Sequence, residues 1–312
     1  MAWNINGHHL FRLLTRESDT VGDSRQLAVA VGSKMWRVLR HNKAALAGVI
    51  VLMAFIGATI FADRIASYDP MKTSSDTFQP PSRQFLFGTD DLGRDIFSGV
   101  IYGARTSILI GVSVALLSGL IGVLVGSVAG YAGGIWDDLL MRLTELFLIP
   151  PQFFLALIIA ALFGSTLLNL ILILAFTNWT TTARLVRAEV LSIKERPFIE
   201  AARAMGASPT RILFHDILPN AFPLIITKII LTVGGVILLE AALSFIGIGD
   251  ANHISWGYML HNGQHFIRDA WWIIAFPSLA LATLVLALNV VGDAVNVALN
   301  PKTRSASIDR LV

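Results

Sequence analysis

Cysteine does not occur among the 312 residues. That excludes disulfides, thiolate catalysis and cysteine-held metals. Charge is scarce as well: 14% of residues are Asp, Glu, Lys or Arg, against about 25% in an average soluble domain. No glycine precedes a lysine anywhere, so the G-x-x-x-x-G-K-[ST] loop that cradles nucleotide phosphates is missing. Neither H-E-x-x-H nor G-x-S-x-G is present, which removes the familiar zinc-peptidase and serine-hydrolase arrangements. A conduit is expected rather than a catalyst.

What the chain has in excess is apolar surface. It is 54% hydrophobic, with a mean hydropathy of +0.67. One water-soluble core could not hide that surface, whereas a bilayer solvates it. A spanning helix needs about 20 mostly apolar residues. Six stretches qualify, near 44–62, 105–130, 138–162, 166–183, 221–247 and 271–296. The expected fold is therefore an all-α, polytopic membrane protein with about six transmembrane helices. Residues 1–43 are polar and basic, so the first apolar run reads as a retained signal-anchor. The fourth stretch ends in the polar run Thr177-Asn178-Trp179-Thr180-Thr181-Thr182.

The net charge of +3 does not point to nucleic acid, because the basic residues lie between apolar runs. With the N-terminus inside, the inner segments carry Arg12, Arg16, Arg25, Lys34, Arg37, Arg40, Lys43 and Arg142. They also carry Arg184, Arg187, Lys194, Arg196, Arg203, Arg211, Lys302, Arg304 and Arg310. The outer segments carry Arg64, Lys72, Arg83, Arg94 and Arg268. Basic residues favour the cytoplasmic side, so both termini are expected there, with 1–43 and 298–312 as a leading segment and a tail. Trp271 and Trp272 suit a membrane–water interface.

Two connections are long. In the outer one, 63–104, Thr89 is a good N-cap, with Asp90 and Asp91 in a first turn. Leu92, Ile96, Val100 and Ile101 then share a face, which predicts a short amphipathic helix leading into the core at 105–297. Ser118, Gly122, Gly126, Gly130 and Gly134 recur every fourth residue. That stripe suits close helix approach, either in static packing or at a moving interface.

The inner connection, 184–220, has the grammar of helix, turn, helix. Pro197 suits a first helical turn. Phe198, Ala201, Ala202 and Met205 share an apolar face. Gly206 is placed to end the helix at positive φ. Ser208 can cap the next helix, with Pro209 at its first position, and Pro219 marks the entry to the fifth span. Such a knob suits a groove in a partner protein or a bed of anionic lipid touched by Arg196 and Arg203.

Here the residues resemble a known family. Glu200-Ala201-Ala202, then Gly206, then Ile217-Leu218-Pro219 is similar to the EAA coupling motif of ATP-binding-cassette (ABC) importer permeases. Phe87-Gly88-Thr89-Asp90-Asp91-Leu92-Gly93-Arg94-Asp95 and Tyr102-Gly103-Ala104-Arg105-Thr106-Ser107 resemble the C-type permeases of dipeptide and oligopeptide importers. So do Ala242 through Gly249, Ser255 through Leu260, and the ending from Trp271 to Asn300-Pro301, where the family often has Asp-Pro. The likeness runs from about residue 30 to the end. It implies a type I importer fold in a bacterial inner membrane. It also implies a homologous second permease subunit, two ABC ATPase subunits and an extracytoplasmic substrate-binding protein. Glu200, Ala201, Ala202, Met205, Gly206 and Pro219 would then couple to an ATPase. ATP and magnesium would sit on those partner ATPases, with no cofactor on this chain. Nickel, glutathione or another small solute is an alternative cargo, and a solitary secondary transporter is the rival of another class.

Charges inside spans are costly and suggest function. Glu145 and Glu240 either line the pathway, where each could meet a peptide's amino group, or pair with a neighbouring helix. Lys228 and Asp293 lie nearer the span ends. Pro150-Pro151 predicts a bend bordering the cavity or a helix cap. His261 and His265, with His253 nearby, have metal-like spacing but no supporting carboxylates. Asn178-Trp179-Thr180 matches a glycosylation pattern within a membrane segment and is set aside.

Overall fold

The computed structural model describes residues 42–299. The basic residues from Arg12 to Arg40, and the tail from Asn300-Pro301 to Arg310, lie outside the described residues. The long helices are α1 Lys43–Ile60, α2 Ile96–Ala132, α3 Gly134–Leu148, α4 Gln152–Phe163 and α5 Leu167–Lys194. They continue with α6 Pro197–Ala204, α7 Leu218–Phe245, α8 Trp256–Gly263 and α9 Trp272–Leu299. No strand occurs among the described residues.

Among the described residues, four segments are long and apolar enough to cross a membrane: α1, α2, α9 and the continuous Pro209–Phe245 stretch that contains α7. The α3–α4 pair makes a fifth, bent by 81°. The sixth expected span, α5, is 28 residues long, but Arg184, Arg187, Glu189 and Lys194 make its second half too polar to join them. Chain direction shows how it runs. Gly122 faces Trp179 and Thr182, Gly126 faces Ala183 and Val186, and Gly130 faces Arg187 and Val190. The numbers rise together, so α2 and α5 are parallel, and α3–α4 is the return between them.

That glycine seam is packing in the plain sense. A Cβ on Gly122 would stand 2.6 Å from the Thr182 Cβ, and one on Gly130 would stand 2.9 Å from the Arg187 carbonyl oxygen. Without those methyls the two backbones close up and gain dispersion contacts. Gly134 is outside the seam: it opens α3 at φ +54 with nothing within 4 Å of a Cβ. The polar run before Arg184 is not a connection either. Thr177, Thr180 and Thr182 are buried within α5, and the Thr177 hydroxyl donates to the Ile173 carbonyl at 3.0 Å. The inner connection is thereby shortened, since α5 runs on to Lys194.

The expected separate amphipathic helix beginning at Thr89 is not observed. Positive φ at Gly88 and Gly93 holds 88–95 as a loop, and α2 starts at Ile96 and runs unbroken for 37 residues. Its N-cap is Asp95, whose carboxylate accepts from the Ser98 amide at 2.8 Å. Thr89 ties the loop to itself: its hydroxyl donates to the Asp76 carbonyl and accepts from the Gln79 amide at 2.8 Å.

Among the described residues, three buried clusters stack along the bundle. One, around Ile96, Trp256, Trp272 and Ile273, joins α2, α8 and α9 at the end where α2 begins. The middle one, around Val114, Ala156, Leu174 and Leu243, joins α2, α4, α5 and α7. The last, around Val190, Ile193, Ile199, Ile212 and Ile217, joins α5 and α7 to the 195–217 connection. Gly48 of α1 packs on Ala287 and Val291 of α9.

Candidate functional site

The 195–217 connection is a built knob. Pro197 stands in the first turn of α6, where its missing N–H would be unpaired anyway. The helix closes on Gly206 at φ +82. The Gly206 amide donates to the Arg203 carbonyl at 3.0 Å and the Ala207 amide to the Ala202 carbonyl at 3.1 Å. This pair of bonds satisfies the last carbonyls and reverses the chain. Ser208 then caps the next turn by accepting from the Arg211 amide at 3.3 Å, with Pro209 following it. A π turn, Ile212–Ile217, feeds α7. Pro219 lies in the first turn of α7 and is exposed.

The two faces of α6 differ. Ile199 is 0% exposed, inside the cluster with Val190, Ile193, Ile212 and Ile217. Glu200, Ala201, Phe198 and Met205 point outward, Met205 being 81% exposed. Ala202 lies between, packed on that cluster together with Ala207. The expected apolar face is thus on the outside. The anchor beneath it, Ile199 with Ile212, was missed by sequence reasoning, although both fall opposite the exposed positions.

The opposite end carries a clasp. Arg94 donates from Nε to the Asp90 carboxylate at 2.6 Å, and its other end reaches the Tyr258 hydroxyl of α8 at 3.5 Å. Burial works against the cation. The hydrogen bonds to Tyr258 and Asp90 and the Asp90 charge outweigh it and hold the guanidinium pKa above its usual value. Trp272 Nε1 of α9 donates to the Thr89 carbonyl at 3.1 Å, and Trp256 Nε1 of α8 to the Val100 carbonyl at 3.0 Å. The Phe87–Asp95 stretch therefore pins the start of α2 to α8 and α9.

Asp250 ties a second loop. It accepts from the Leu167 amide at the start of α5 at 2.8 Å, from the Asn252 amide at 2.9 Å, and lies 2.9 Å from His253 Nδ1. Burial alone would raise its pKa. The Asn252 and Leu167 amides and then His253 outweigh that and hold it below the usual carboxylate range. A folded value below the unfolded one stabilises at pH above the ordinary carboxylate range and loses that effect as pH falls through the depressed value. Thermal melting in detergent from about pH 6 to about pH 3 is expected to show this acid limb, reduced in Asp250→Asn. An unchanged limb in the variant would assign acid lability elsewhere.

The two intramembrane carboxylates part company. Glu145 is exposed on α3. Glu240 is 1% exposed, and its Oε1 accepts from the Ser244 hydroxyl at 2.7 Å and the Ser255 hydroxyl at 2.8 Å. Ser255 is also the N-cap of α8, so Glu240 fastens α8 to α7. Its Oε2 has no partner among the described residues. A glutamine keeps the acceptor, so Glu240→Gln is expected to melt and transport as wild type. Glu240→Leu removes the acceptor of both hydroxyl protons, although Ser255 still accepts from the Tyr258 amide, and is expected to cost about 1–3 kcal/mol. Equal melting of the Gln and Leu variants would sink the fastening role.

Pro150-Pro151 is both a bend and a cap: α3 ends against Ile149, and Pro151 is the N-cap of α4. His261 Nδ1 sits 2.8 Å from the Phe245 carbonyl, and no metal-holding group of His, Asp or Glu occurs among the described residues.

Comparison with known proteins adds the family context. Residues 122–305 match the model described as binding-protein-dependent transport system inner membrane component. Residues 32–81 match the N-terminal TM domain of oligopeptide transport permease C. The chain is 38% identical to the dipeptide transport system permease protein DppC of Alkalihalophilus pseudofirmus, over 95% of this chain and 99% of the relative. It is 38% identical to the oligopeptide transport system permease protein OppC of Bacillus subtilis, over 85% and 88% respectively. The fold is similar to an inward-facing structure of the MetNI methionine ABC transporter. That match has a TM-score of 0.52 and 20% identity, and covers 65% of this chain and 96% of that one.

Proposed function

Because this chain belongs to the binding-protein-dependent transport system inner membrane components, we propose that it is half of a translocation pathway for di- and oligopeptides, driven by two partner ATPases. It is a transport subunit and not an enzyme. The cargo reading follows the dipeptide and oligopeptide permeases to which it is similar along most of its length. A homologous second permease supplies the other half, and an extracytoplasmic binding protein delivers the peptide. Both termini then face the cytoplasm of a bacterial inner membrane.

One observation carries the coupling role: α6 presents Glu200, Ala201 and Met205 outward while Ile199 is locked beneath it. A partner that grips the outer face moves Ile199, and through the shared cluster moves α5 and α7. Packed interiors transmit such displacement because they resist compression. Gly206 and Pro219 hold the two ends of this lever. ATP and magnesium belong to the gripping partner.

The test is affinity purification of the tagged chain in mild detergent, followed by mass spectrometry. Recovery of a second permease and of ATPases with phosphate loops is expected, with the ATPases lost when 200–206 is scrambled. Recovery of the chain alone, still transporting without ATP, would overturn the proposal in favour of a solitary carrier.

A further inference from the structure

The α3 helix runs antiparallel to α5. Asp137 meets Arg187 near one end, and Phe147 meets Phe176 and Trp179 near the other. Between them opens a recess of about 650 Å³, within the usual range of about 300–1,000 Å³ for small-molecule sites. Asp138, Arg142 and Glu145 line one wall, and Arg184 and Arg187 the other. The spacing puts each set on one helical face.

The charges are not all alike. Arg187 is neutralised by Asp137, with its Nε and a terminal nitrogen 2.5 and 2.6 Å from the two carboxylate oxygens. Arg142, Arg184 and Glu145 are exposed to the recess and form no ion pair among the described residues. Asp138 is likewise exposed and forms no such pair, so two free guanidiniums share the recess with two free carboxylates, Glu145 and, beside the Asp137–Arg187 pair, Asp138. That arrangement complements a ligand carrying a carboxylate and an ammonium.

A lipid headgroup offers a phosphate and an ammonium to the same groups, whereas only a peptide loses a charge when its C-terminus is amidated.

We propose that this recess is a transit site for the zwitterionic backbone of the cargo. Arg142 and Arg184 take the C-terminal carboxylate, and Glu145 takes the N-terminal ammonium. The assignment rests on the peptide reading above. Bidentate guanidinium–carboxylate bonds give it geometry as well as charge. The Arg187–Asp137 pair keeps the recess from carrying a further free cation.

The experiment uses the complete importer in vesicles, with its binding protein, and compares a tripeptide with its C-terminal amide. The same binding protein delivers both, so its own preference cancels between variant and wild type. Arg184→Gln is expected to slow the free acid about tenfold, the size of one lost charge-assisted hydrogen bond, and the amide by less than about twofold. Arg142→Gln is the second variant. Co-purification of the whole complex checks assembly of both. Glu145→Gln is expected to discriminate in the same way between the free peptide and its N-acetyl form. Parallel loss for acid and amide, whether from a lipid role or from poor assembly, would overturn the site, as would unchanged uptake of both. Failure of the wild-type importer to move any peptide would instead overturn the peptide reading itself.

Discussion

Gly206→Pro is expected to abolish uptake while the chain remains in the membrane. Proline fixes φ near −65°, and Gly206 stands at +82°. Proline also removes the amide that donates to Arg203 at 3.0 Å. The turn between α6 and the capped Ser208 must then open, and the outward face loses its fixed position over Ile199. Nothing lies within 4 Å of a Cβ placed on Gly206, so a small side chain meets no obstacle. The demand is conformational alone. Gly206→Ala should lose about 1–2 kcal/mol of turn stability and retain partial uptake, with Gly206→Asn milder still. Uptake assayed beside membrane content of the protein decides this. Full activity of the proline variant would remove the coupling role, and an alanine variant as dead as proline would show that side-chain volume, not the turn, is what matters.

Gly126→Val is expected to have the largest effect on folding. A Cβ there overlaps the Ala183 carbonyl and comes within 2.9 Å of the Val186 Cβ. The obstacle is backbone, which cannot swing aside. Overpacking of this kind costs about 1–3 kcal/mol and at times more, and here it would pry α2 from α5 along the seam. Gly235→Val is the matched control, since a Cβ on Gly235 meets nothing within 4 Å. Melting temperature and yield in detergent should fall for the first variant and hold for the second. Similar melting of both would mean that α2 and α5 are free to separate.

Much of this was legible in the residues because each feature has a local cause. Pro197, Gly206, Ser208 and Pro209 specify their turns through φ and missing or satisfied N–H groups, so the knob could be read residue by residue. The seam was legible from its spacing, since only small side chains every fourth residue leave such a groove. Thr89 and Asp95 are both competent caps for α2, and choosing between them needs the ties that hold 74–93 in a loop. The Asp95-to-Ser98 spacing was the available sign. Glu240 could be suspected from its cost in a span, and Ser244 lies one turn on in the same helix, but only the packed bundle brings Ser255 to it. By sequence alone Arg142 and Arg184 are topological charges. Their convergence on one recess depends on α3 lying antiparallel to α5, which no single stretch of sequence encodes.

The 81° break between α3 and α4 has a consequence for the chain before it is assembled. The last carbonyls of a helix have no partner within it, and Pro150 and Pro151 have no amides to offer. Ile149 at the corner is 75% exposed. Non-helical backbone survives at membrane depth only against protein or water. Standing by itself in lipid, this corner would leave its carbonyls without partners, so a neighbouring subunit or water has to cover it.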